Sequence, residues 1–365
     1  MKELEYRQIY LGCDPEFFFT KNGEVCGSEK VISETGLVSG SYTIKSKIVR
    51  DGVQAELNPS PNTCRANLGN EISRCFRELY QKIKDDKELS LDFSQIVKVS
   101  KKELESLSAK SREFGCAPSN NIYKGESNKI KVNGDTYKYR LAGGHIHLGR
   151  FVGNWEQASM YNKVNKAIDD PKRLVPLLDI LLGNTCVMMD KDPNAKKRRK
   201  LYGKAGEYRT PPHGLEYRTL SNFWLQSYQL FSFVTGMARL SVLILANSIE
   251  GSDELEKSIT SKVKMSKITK AINNNDYELA YENYCKIEQS ILEMTKKKTD
   301  YPINQDTYKE FKHFITKPLN YWFKENPLES WMKLPDGHGR GWESFSRDQI
   351  KHDMDRSSVA VATMA

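Results

Sequence analysis

The sequence predicts an α+β protein in which short strands pack against long helices. Short stretches that alternate apolar and polar residues, such as 53–58, are typical of half-buried strands. The pairs Asn22-Gly23 and Asp51-Gly52 stand beside such stretches and favour tight turns. Apolar residues at three-to-four spacing over 67–84 predict an amphipathic helix. A chain of 365 residues can build one large domain or two ordinary ones, with ample core.

Composition limits the class of protein further. Apolar residues make up 38% of the chain and charged residues 28%, as in soluble globular proteins. The longest apolar run, 240–246, is far shorter than the roughly 18–20 residues of a membrane-spanning helix. The N-terminus lacks the apolar segment of a signal peptide, and seven scattered cysteines without CxxC spacing suggest reduced thiols. We therefore expect a cytoplasmic protein whose formal charge of +9 favours an anionic ligand.

The first chemical signal lies at 12–19, an aromatic stretch that predicts a strand. Asp14 and Glu16 are two positions apart and would share one face of that strand. Pro15 has no N–H to donate, which favours a sheet edge or a bulge at this point. Two acids beside phenylalanines are costly to bury without a cation or a donor. An exposed turn with two solvated acids would explain the same residues.

The next strand, 53–58, carries Glu56 on its polar face. A strand with one wet face accounts for this residue equally well. Farther along, His145 and His147 flank Ile146 in a strand-like stretch, so both imidazoles would lie on one face. Neutral imidazole binds divalent ions, and the two Cα atoms would be about 6–7 Å apart. One histidine would therefore bind metal while the other touches phosphate or substrate. Gly143 and Gly144 would let a ligand or another backbone approach.

Helical patterns dominate the remainder of the chain. The stretches 154–168 and 171–189 predict helices, and the second is apolar enough to be buried. Ser221 or Asn222 could cap a long core helix that ends near 248. Beyond 251 the sequence changes to Lys/Glu/Asn-rich helical segments. These patterns predict a main domain over 1–250, a helical C-terminal region over 251–336, and a partly disordered tail over 337–365.

Residues 198–225 hold the densest set of chemical groups. The tripeptide Glu-Tyr-Arg occurs at 207–209 and again at 216–218, on either side of a Pro/Gly loop. In extended segments, Glu216 and Arg218 would project together, as would Glu207 and Arg209. Residues 196–209 form a basic loop with seven Lys/Arg against one acid. Arginines match phosphate oxygens and carboxylates ligate Mg²⁺, so this set suits a metal-bound polyphosphate. A solvated basic loop followed by a salt-bridged hairpin is the alternative.

Other phosphate-binding and catalytic motifs are absent from the sequence. It contains no Walker A pattern, no GxGxxG, no GxSxG and no zinc-spaced cysteine set. A phosphate site would therefore have to be built from strand-borne acids and from arginines.

The stretches 12–19, 51–61, 140–149 and 198–225, in this order, resemble the phage-type carboxylate–amine ligases. These are the type 2 amidoligases of the glutamine synthetase / glutamate–cysteine ligase superfamily. The resemblance covers 12–248 and leaves the C-terminal helical part outside. It implies a curved antiparallel sheet of glutamine synthetase-like type with helices packed outside. It also implies ATP and two or three Mg²⁺ ions, with Mn²⁺ as the alternative metal.

The resemblance also assigns roles to individual residues. Those assigned to metal are Asp14, Glu16, Glu56, His145 and Glu216, with the choice between the two histidines left open. Those assigned to ATP are His147, Arg198, Arg199, Lys204, Arg209 and Arg218. Residues 115–119 depart from the pattern because they lack the acid expected after the proline, which leaves substrate contacts there unassigned.

The implied reaction is an ATP-dependent ligation. A substrate carboxylate attacks the γ-phosphate, and an amine then attacks the acyl phosphate to form an amide. Arg209, Arg218 and Arg199 would stabilise the moving phosphoryl group, and Glu207 would deprotonate the amine. The substrates would be small-molecule or peptide acids and amines, with no membrane partner and with the oligomeric state open.

Three alternatives to the ligase would each explain part of the sequence. A metal-dependent phosphoesterase would also use His-x-His with acids. A basic nucleic-acid-binding protein would explain the charge of +9 but not the face-matched carboxylates, and it is not favoured. A degenerate ligase fold that acts as a scaffold conflicts with the intact acids and arginines.

Overall fold

Helices and antiparallel strands alternate along the chain in a computed structural model of the protein. The structure describes residues 9–39, 46–114, 118–125, 127–128, 132–150, 158–250, 254–296 and 327–332. The predicted tail over 337–365 lies outside the described residues, as do residues 115–117 of the departing segment.

The described strands are short, and every ladder between them is antiparallel. They are β1 (Tyr10–Cys13), β2 (Glu16–Lys21), β3 (Glu24–Cys26), β4 (Leu37–Ser39), β5 (Ser46–Asp51), β6 (Gln54–Asn58), β7 (Leu89–Asp92), β8 (Ile96–Lys98), β9 (Ser119–Asn121), β10 (Ser127–Asn128), β11 (Tyr139–Leu141), β12 (Ile146–Gly149), β13 (Glu207–Arg209) and β14 (Gly214–Tyr217). The first sheet has the order β1-β12-β14-β13-β9-β10. The second has the order β3-β2-β6-β5-β4, with β7 paired to β2, and β11 pairs with β8.

The described helices are α1 (Arg65–Ile83), α2 (Lys101–Ser106), α3 (Ala109–Arg112), α4 (Ala158–Ile168), α5 (Pro171–Leu178), α6 (Asn184–Met189), α7 (Ala195–Leu201), α8 (Tyr228–Glu250), α9 (Glu254–Thr260), α10 (Met265–Asn274), α11 (Tyr277–Lys296) and α12 (Pro327–Met332). A π-helical segment, Asp179–Gly183, joins α5 to α6. A 3₁₀ turn, Asn222–Gln226, precedes α8. The predicted mixture of helices and strands is therefore confirmed.

The strand predicted over 12–19 is interrupted at Asp14-Pro15. Two separate strands form there: β1 belongs to the first sheet and β2 to the second. Because Pro15 has no N–H, the ladder cannot run through it. The Pro15 carbonyl instead accepts from the Leu57 N–H at 2.9 Å, and the Glu16 N–H donates to the Gly143 carbonyl at 2.9 Å. The prediction of one continuous strand is wrong, and the two acids stand on either side of a seam between two sheets.

The predicted turns and helices have clear physical causes in the structure. Asn22 and Gly23 both have positive φ and close the β2–β3 hairpin. The apolar positions predicted for 67–84 face the core along α1. Asp170 caps α5, whose first residue is Pro171. Ser221 caps the 3₁₀ turn rather than the long helix, which begins only at Tyr228.

Helix α8 lies at the centre of a continuous hydrophobic core. By length and composition its stretch Tyr228–Ile249 could cross a membrane, but 94% of its most apolar window is buried inside the fold. The same core contains residues of α10, α11 and α12. The C-terminal helices predicted from 251 onward thus share their core with the strands that precede them.

Candidate active site

Four strand positions form one row across the first sheet. In the register, Gly12 pairs with His147, His147 with Glu216, and Glu216 with Arg209. Residues paired directly across neighbouring strands project to the same face. The sequence patterns at 145–147, 207–209 and 216–218 are thus brought side by side by β12, β14 and β13. Asp14 follows β1 and reaches this row from the seam between the sheets.

Asp14, His147 and Glu216 form the first cluster, with His145 beside it. The carboxylate of Asp14 lies 2.9 Å from His145 Nδ1 and 3.1 Å from His147 Nε2. The Glu216 Oε1 atom lies 3.4 Å from His145 Nδ1. One ligand atom from each of Asp14, His147 and Glu216 falls within 4.8 Å of the others, a separation that suits a shared cation. The predicted pair of histidines therefore converges on one acid.

The two histidines differ in which of their ring nitrogens could bind a ligand. His145 is 2% exposed, and its Nε2 contacts the Tyr202 hydroxyl while its Nδ1 faces the two acids. His147 uses Nδ1 to contact His213 Nε2 at 2.9 Å, and its Nε2 points to Asp14. His147 rather than His145 is therefore the imidazole that completes the metal-compatible set, which differs from the assignment of His145 to metal.

Three buried atoms in this cluster are close together without being aligned as hydrogen bonds. They are Asp14 Oδ1, His145 Nδ1 and His147 Nε2. Burial alone would raise the pKa of Asp14, but His145 and His147 hold it well below its usual range. Burial lowers the pKa of His147, yet the neighbouring Asp14 raises it overall. Side chains that bind one cation together would show such short contacts without hydrogen-bond alignment.

The second cluster consists of Glu16, Asp51 and Glu56, on the other side of the seam. Glu16 pairs with Glu56 across β2 and β6, and Asp51 ends the adjacent β5. Oxygens of all three acids lie within 4.8 Å of one another. The Glu16 carboxylate accepts from the Gly143 N–H at 2.7 Å, and Glu56 accepts from the Asn58 amide at 2.9 Å.

The acids of the second cluster repel one another. Burial and the neighbouring Asp51 raise the pKa of Glu16 to about 8. Burial and the charge of Asp14 raise the pKa of Asp51 to about 6. Burial and the charges of Asp14, Asp51 and Glu16 raise the pKa of Glu56 well above its usual range. Since Asp14 acts on all three, the two clusters lie close enough to form one electrostatic unit.

This chemistry suits a hard divalent cation. Mg²⁺ prefers carboxylate oxygens, and three adjacent acids without a compensating cation must otherwise hold protons. The first cluster differs because arginines already compensate Glu216. The Arg209 guanidinium donates to both Glu216 oxygens at 2.6 Å, and Arg218 Nη1 donates to Oε1 at 3.0 Å. The residues present therefore fit a divalent cation best at Glu16, Asp51 and Glu56.

Arg209 and Arg218 are held differently. The Arg218 side chain is 1% exposed, and its Nη2 also donates to the Tyr202 hydroxyl at 2.8 Å. The Arg209 side chain is 33% exposed. Arg209 can therefore exchange Glu216 for an incoming anion, whereas Arg218 is a fixed positive charge behind the cluster. The prediction that Glu216 and Arg218 project together is confirmed.

Two other predicted phosphate contacts, Arg198 and Arg199, donate to backbone carbonyls. Residues 198–200 lie on α7 rather than on a loop. Arg198 is fully buried and donates to the carbonyls of Ala142 and Leu220 at 2.7 and 2.9 Å. Arg199 is 2% exposed and donates to the Gly203 carbonyl at 2.8 Å. Their donors hold the backbone around the site, so the geometry gives no support to direct contact with phosphate.

The assigned base also has a structural partner. Glu207 is fully buried, and its Oε2 accepts from the Gly203 N–H at 3.0 Å. This hydrogen bond holds the loop at Gly203, and the geometry gives no support to the predicted role of Glu207 as the base. Gly203 has a φ of +74°, and a Cβ there would collide with the Arg198 guanidinium, so only glycine fits. Lys204 follows it and is half-buried.

A cavity of about 360 Å³ opens beside the first cluster. Asp14, His147 and His213 line it together with Tyr10 and Arg150. The cavity lies on the face of the first sheet that carries Glu216 and Arg209. Tyr10 pairs with Gly149, two residues along the strands from the pair Gly12–His147, and residues two apart on a strand share a face. The cavity thus offers space for a molecule whose reacting end would stand at the clusters.

Three members of the site had no assigned role in the sequence. Asp51 looks like an ordinary turn residue beside Gly52, and only the pairing of β5 with β6 brings it to Glu56. Tyr202 lies in the basic stretch, where nothing marks its contact with His145. His213 stands between the two Glu-Tyr-Arg copies, and its closeness to them in sequence was the one available signal.

Comparison with known proteins adds a family. Residues 130–326, more than half of the chain, match the family model described as Phage phiEco32-like COOH.NH2 ligase-type 2. The matched range holds His145, His147 and Glu216 but begins after Asp14, Glu16 and Glu56. It also extends past 248, so the C-terminal helices do not fall outside the family as expected.

Comparison with solved structures gives a weaker likeness. The structure of a bifunctional glutathione synthetase from Pasteurella multocida aligns with 79% of this chain at 11% identity and a TM-score of 0.37. The alignment takes in 50% of that protein, so this chain spans about half of its length. No curated protein sequence matches the chain.

Proposed function

Because the chain belongs to the phage phiEco32-like COOH.NH2 ligase-type 2 family, we propose that it is an ATP- and Mg²⁺-dependent carboxylate–amine ligase. The product is an amide, and the intermediate is an acyl phosphate. One observation carries the proposal: two carboxylate clusters meet at a seam, with Arg209 and Arg218 on the adjoining face. We also assign the first sheet to the glutamine synthetase-like type, on the support of its strand-borne acids and histidine.

Divalent cations held by Glu16, Asp51 and Glu56, and by Asp14 and His147, would screen the repulsion between the triphosphate and an incoming carboxylate. Burial and the neighbouring acids raise the pKa of Glu16 and Asp51, and a bound divalent cation would lower it, so both would ligate as carboxylates. Asn58 keeps Glu56 oriented through its amide.

Arg209 supports the phosphoryl-transfer step. As a carboxylate oxygen attacks the γ-phosphorus, the bond from phosphorus to the ADP oxygen breaks, and negative charge moves from the carboxylate to the phosphoryl oxygens and the leaving ADP oxygen. The partly exposed Arg209 can move its bidentate donors from Glu216 to these oxygens. Arg218 remains on Glu216 and keeps that carboxylate from being left unpaired.

The amide forms in the second step. The amine nitrogen attacks the acyl carbon, phosphate departs with the electron pair of the broken carbon–oxygen bond, and the nitrogen loses a proton. Water must be kept from the acyl phosphate until the amine attacks it. A metal-dependent phosphoesterase would share the acids and imidazoles but would hydrolyse its substrate without a carboxylate partner.

The test uses the full chain with Mg-ATP and a panel of carboxylic acids and amines. ADP release that depends on one acid, followed by mass spectrometry of an amide, is the expected result. We expect Glu216→Gln to reduce this release by roughly a hundred-fold or more, because Arg209 and Arg218 lose their anchor. Glu282→Gln is the matched control, since Glu282 also contacts two cations but lies on the surface of α11.

Melting temperatures establish that both variants are folded. A folded Glu216→Gln protein with near-wild-type turnover would refute the assignment of this site. ADP or phosphate release that is indifferent to every acid would instead favour the phosphoesterase.

A further inference from the structure

The cavity beside the first cluster has a floor made of backbone. Gly12 and Gly149 occupy the sheet face where side chains would otherwise stand. A Cβ on Gly149 would come within 2.9 Å of the Tyr10 Cβ, and a Cβ on Gly12 within 3.3 Å of the His147 Cβ. The approach at Gly149 is too close for a real Cβ, and the approach at Gly12 is tighter than most Cβ contacts. The glycines therefore keep this part of the sheet open, and a ligand can lie directly against the strands.

The walls of the cavity are stiff and mostly apolar. Tyr10 stands on one side, while Pro59 and Pro61 follow β6 on another. Proline rings and an aromatic ring change shape little when a ligand enters, which lowers the entropic cost of binding. A volume of about 360 Å³ accommodates a molecule of roughly dipeptide size. These surfaces suit a ligand with a compact apolar body.

A carboxylate lines one end of the cavity and a guanidinium group lines the other. Asp14 lies at the end next to the clusters, where a carboxylate attracts an ammonium group. Arg150 lies at the other end, because it follows Gly149, which pairs with Tyr10. Tyr10 and Asp14 are four residues apart, which corresponds to roughly 13 Å along an extended chain. The Arg150 guanidinium contacts Asp169 at 2.6 Å and the Pro212 carbonyl, which hold it at the rim. His147 and His213 line the space between these ends.

We propose that this cavity binds the amine substrate of the ligase, an amino acid or short peptide whose amino group faces Asp14 and whose carboxylate faces Arg150. The proposal rests on the proposed function only in calling the ligand a substrate, because the cavity and its charged lining residues are present whether or not the protein is a ligase. An amine bound in this way has its nitrogen at the clusters, where an acyl phosphate would form.

Binding is measured by calorimetry without ATP, on the full chain, with three probes. Glycyl-phenylalanine carries both charges, its amide lacks the carboxylate, and its N-acetyl derivative lacks the amine. We expect glycyl-phenylalanine to bind roughly ten-fold or more tightly than either of the others. Arg150→Gln should remove the preference over the amide. Arg74→Gln is the control, because its side chain is 30% exposed against 34% for Arg150, and each is ion-paired.

A second variant covers the case in which Arg150→Gln does not fold. Asp169→Asn leaves Arg150 without its acidic partner and should bind glycyl-phenylalanine at least as tightly as wild type. Equal binding of the three probes, no binding in the millimolar range, or weaker binding by Asp169→Asn would each overturn the proposal. Probe binding without acid-dependent ADP release would leave the cavity assignment standing and reject the ligase. ADP release with amines that this cavity does not bind would support the ligase and reject the cavity as the amine site.

Discussion

His147 is engaged at both ring nitrogens. Its Nδ1 lies 2.9 Å from His213 Nε2, and its Nε2 lies 3.1 Å from Asp14. An imidazole that offers Nε2 to a cation carries its proton on Nδ1, and His213 Nε2 accepts that proton's hydrogen bond. His213 is therefore a positioning residue that fixes the tautomer and the orientation of the His147 ring.

The prediction at this position concerns metal affinity. His213→Ala removes the acceptor, so we expect Mn²⁺ to bind roughly ten- to a hundred-fold more weakly. His213→Gln keeps an acceptor and should restore most of the affinity. Titration of Mn²⁺, followed by electron paramagnetic resonance without ATP, measures both variants. Wild-type affinity in the alanine variant would show that His147 needs no such support.

Individual site residues were predictable from sequence where two of them shared one strand. Glu216 and Arg218 stand two positions apart, and alternation alone predicts that they project together. Asp51 was not predictable in this way, because its role depends on which strand β5 pairs with. The family resemblance assigns Arg198 and Arg199 to phosphate, but whether a guanidinium faces ligand or backbone carbonyls depends on the packing of α7.

The π-helical segment between α5 and α6 supports the site from behind. Its first residue, Asp179, is fully buried and accepts hydrogen bonds from the Tyr217 hydroxyl at 2.6 Å and the Tyr123 hydroxyl at 2.7 Å. Tyr217 is the neighbour of Glu216 on β14. Burial raises the pKa of Asp179 to about 7, although the two tyrosines and Arg199 act in the opposite direction.

This shift predicts a pH dependence of stability. The pKa of Asp179 is higher in the folded protein than its ordinary value of 3.8, so the folded state holds the proton more tightly. The stability that this carboxyl contributes is therefore present at low pH and is lost as the pH rises from about 4 to 7. We expect the free energy of unfolding of wild type, relative to Asp179→Asn, to fall over that range.

Urea denaturation at several pH values measures the difference between the two proteins. The asparagine has no proton to lose and keeps partners for both tyrosine hydroxyls, so the comparison isolates the carboxyl group. A difference that stays constant between pH 4 and 7 would contradict the raised pKa.

At the level of secondary-structure elements, the periodicity of apolar residues predicted the helices and strands whose burial follows a simple pattern. The apolar spacing over 67–84 specified α1 to within two residues at its start, because every buried turn repeats the same face. The break at Asp14-Pro15 was not predictable to the same degree. Pro15 indicated an edge or a bulge, but the transfer of the chain to another sheet depends on distant strands, β6 and β12.

The last described helix closes the core of the whole molecule. Trp331 of α12 is fully buried and packs against Phe76 and Phe231, with ring centroids 6.1 and 5.6 Å away. Its indole N–H donates to the Leu225 carbonyl at 2.8 Å, and its own carbonyl accepts from Ser73 Oγ at 2.7 Å. A residue more than a hundred positions from Leu225 thus joins α1 to the segment that precedes α8.

We expect Trp331→Ala to lower the free energy of unfolding by about 3–5 kcal/mol, since it leaves a large cavity and an unpaired carbonyl. Tyr281→Ala is the control, because Tyr281 is 43% exposed and should cost about 0.5 kcal/mol or less. Chemical denaturation measures both. A small effect at Trp331 would mean that α12 is not integral to the core.

For the whole molecule, the sequence predicted the class but not the division into two main sheets. Strand existence follows from local alternation, whereas strand order is decided by contacts between residues far apart in the chain. The pairing of β1 with β12 and of β2 with β6 is of this kind.

The seam at Asp14-Pro15-Glu16 has a consequence for distances. Two residues separated by one other cannot have Cα atoms farther apart than about 7 Å, however the rest of the protein moves. The carboxylates of both clusters are therefore tethered to each other by covalent bonds and not only by packing. A single elongated anion that contacts one cluster can therefore also contact the other. An insertion after Pro15 would remove this limit on the distance between the clusters while leaving both sheets intact.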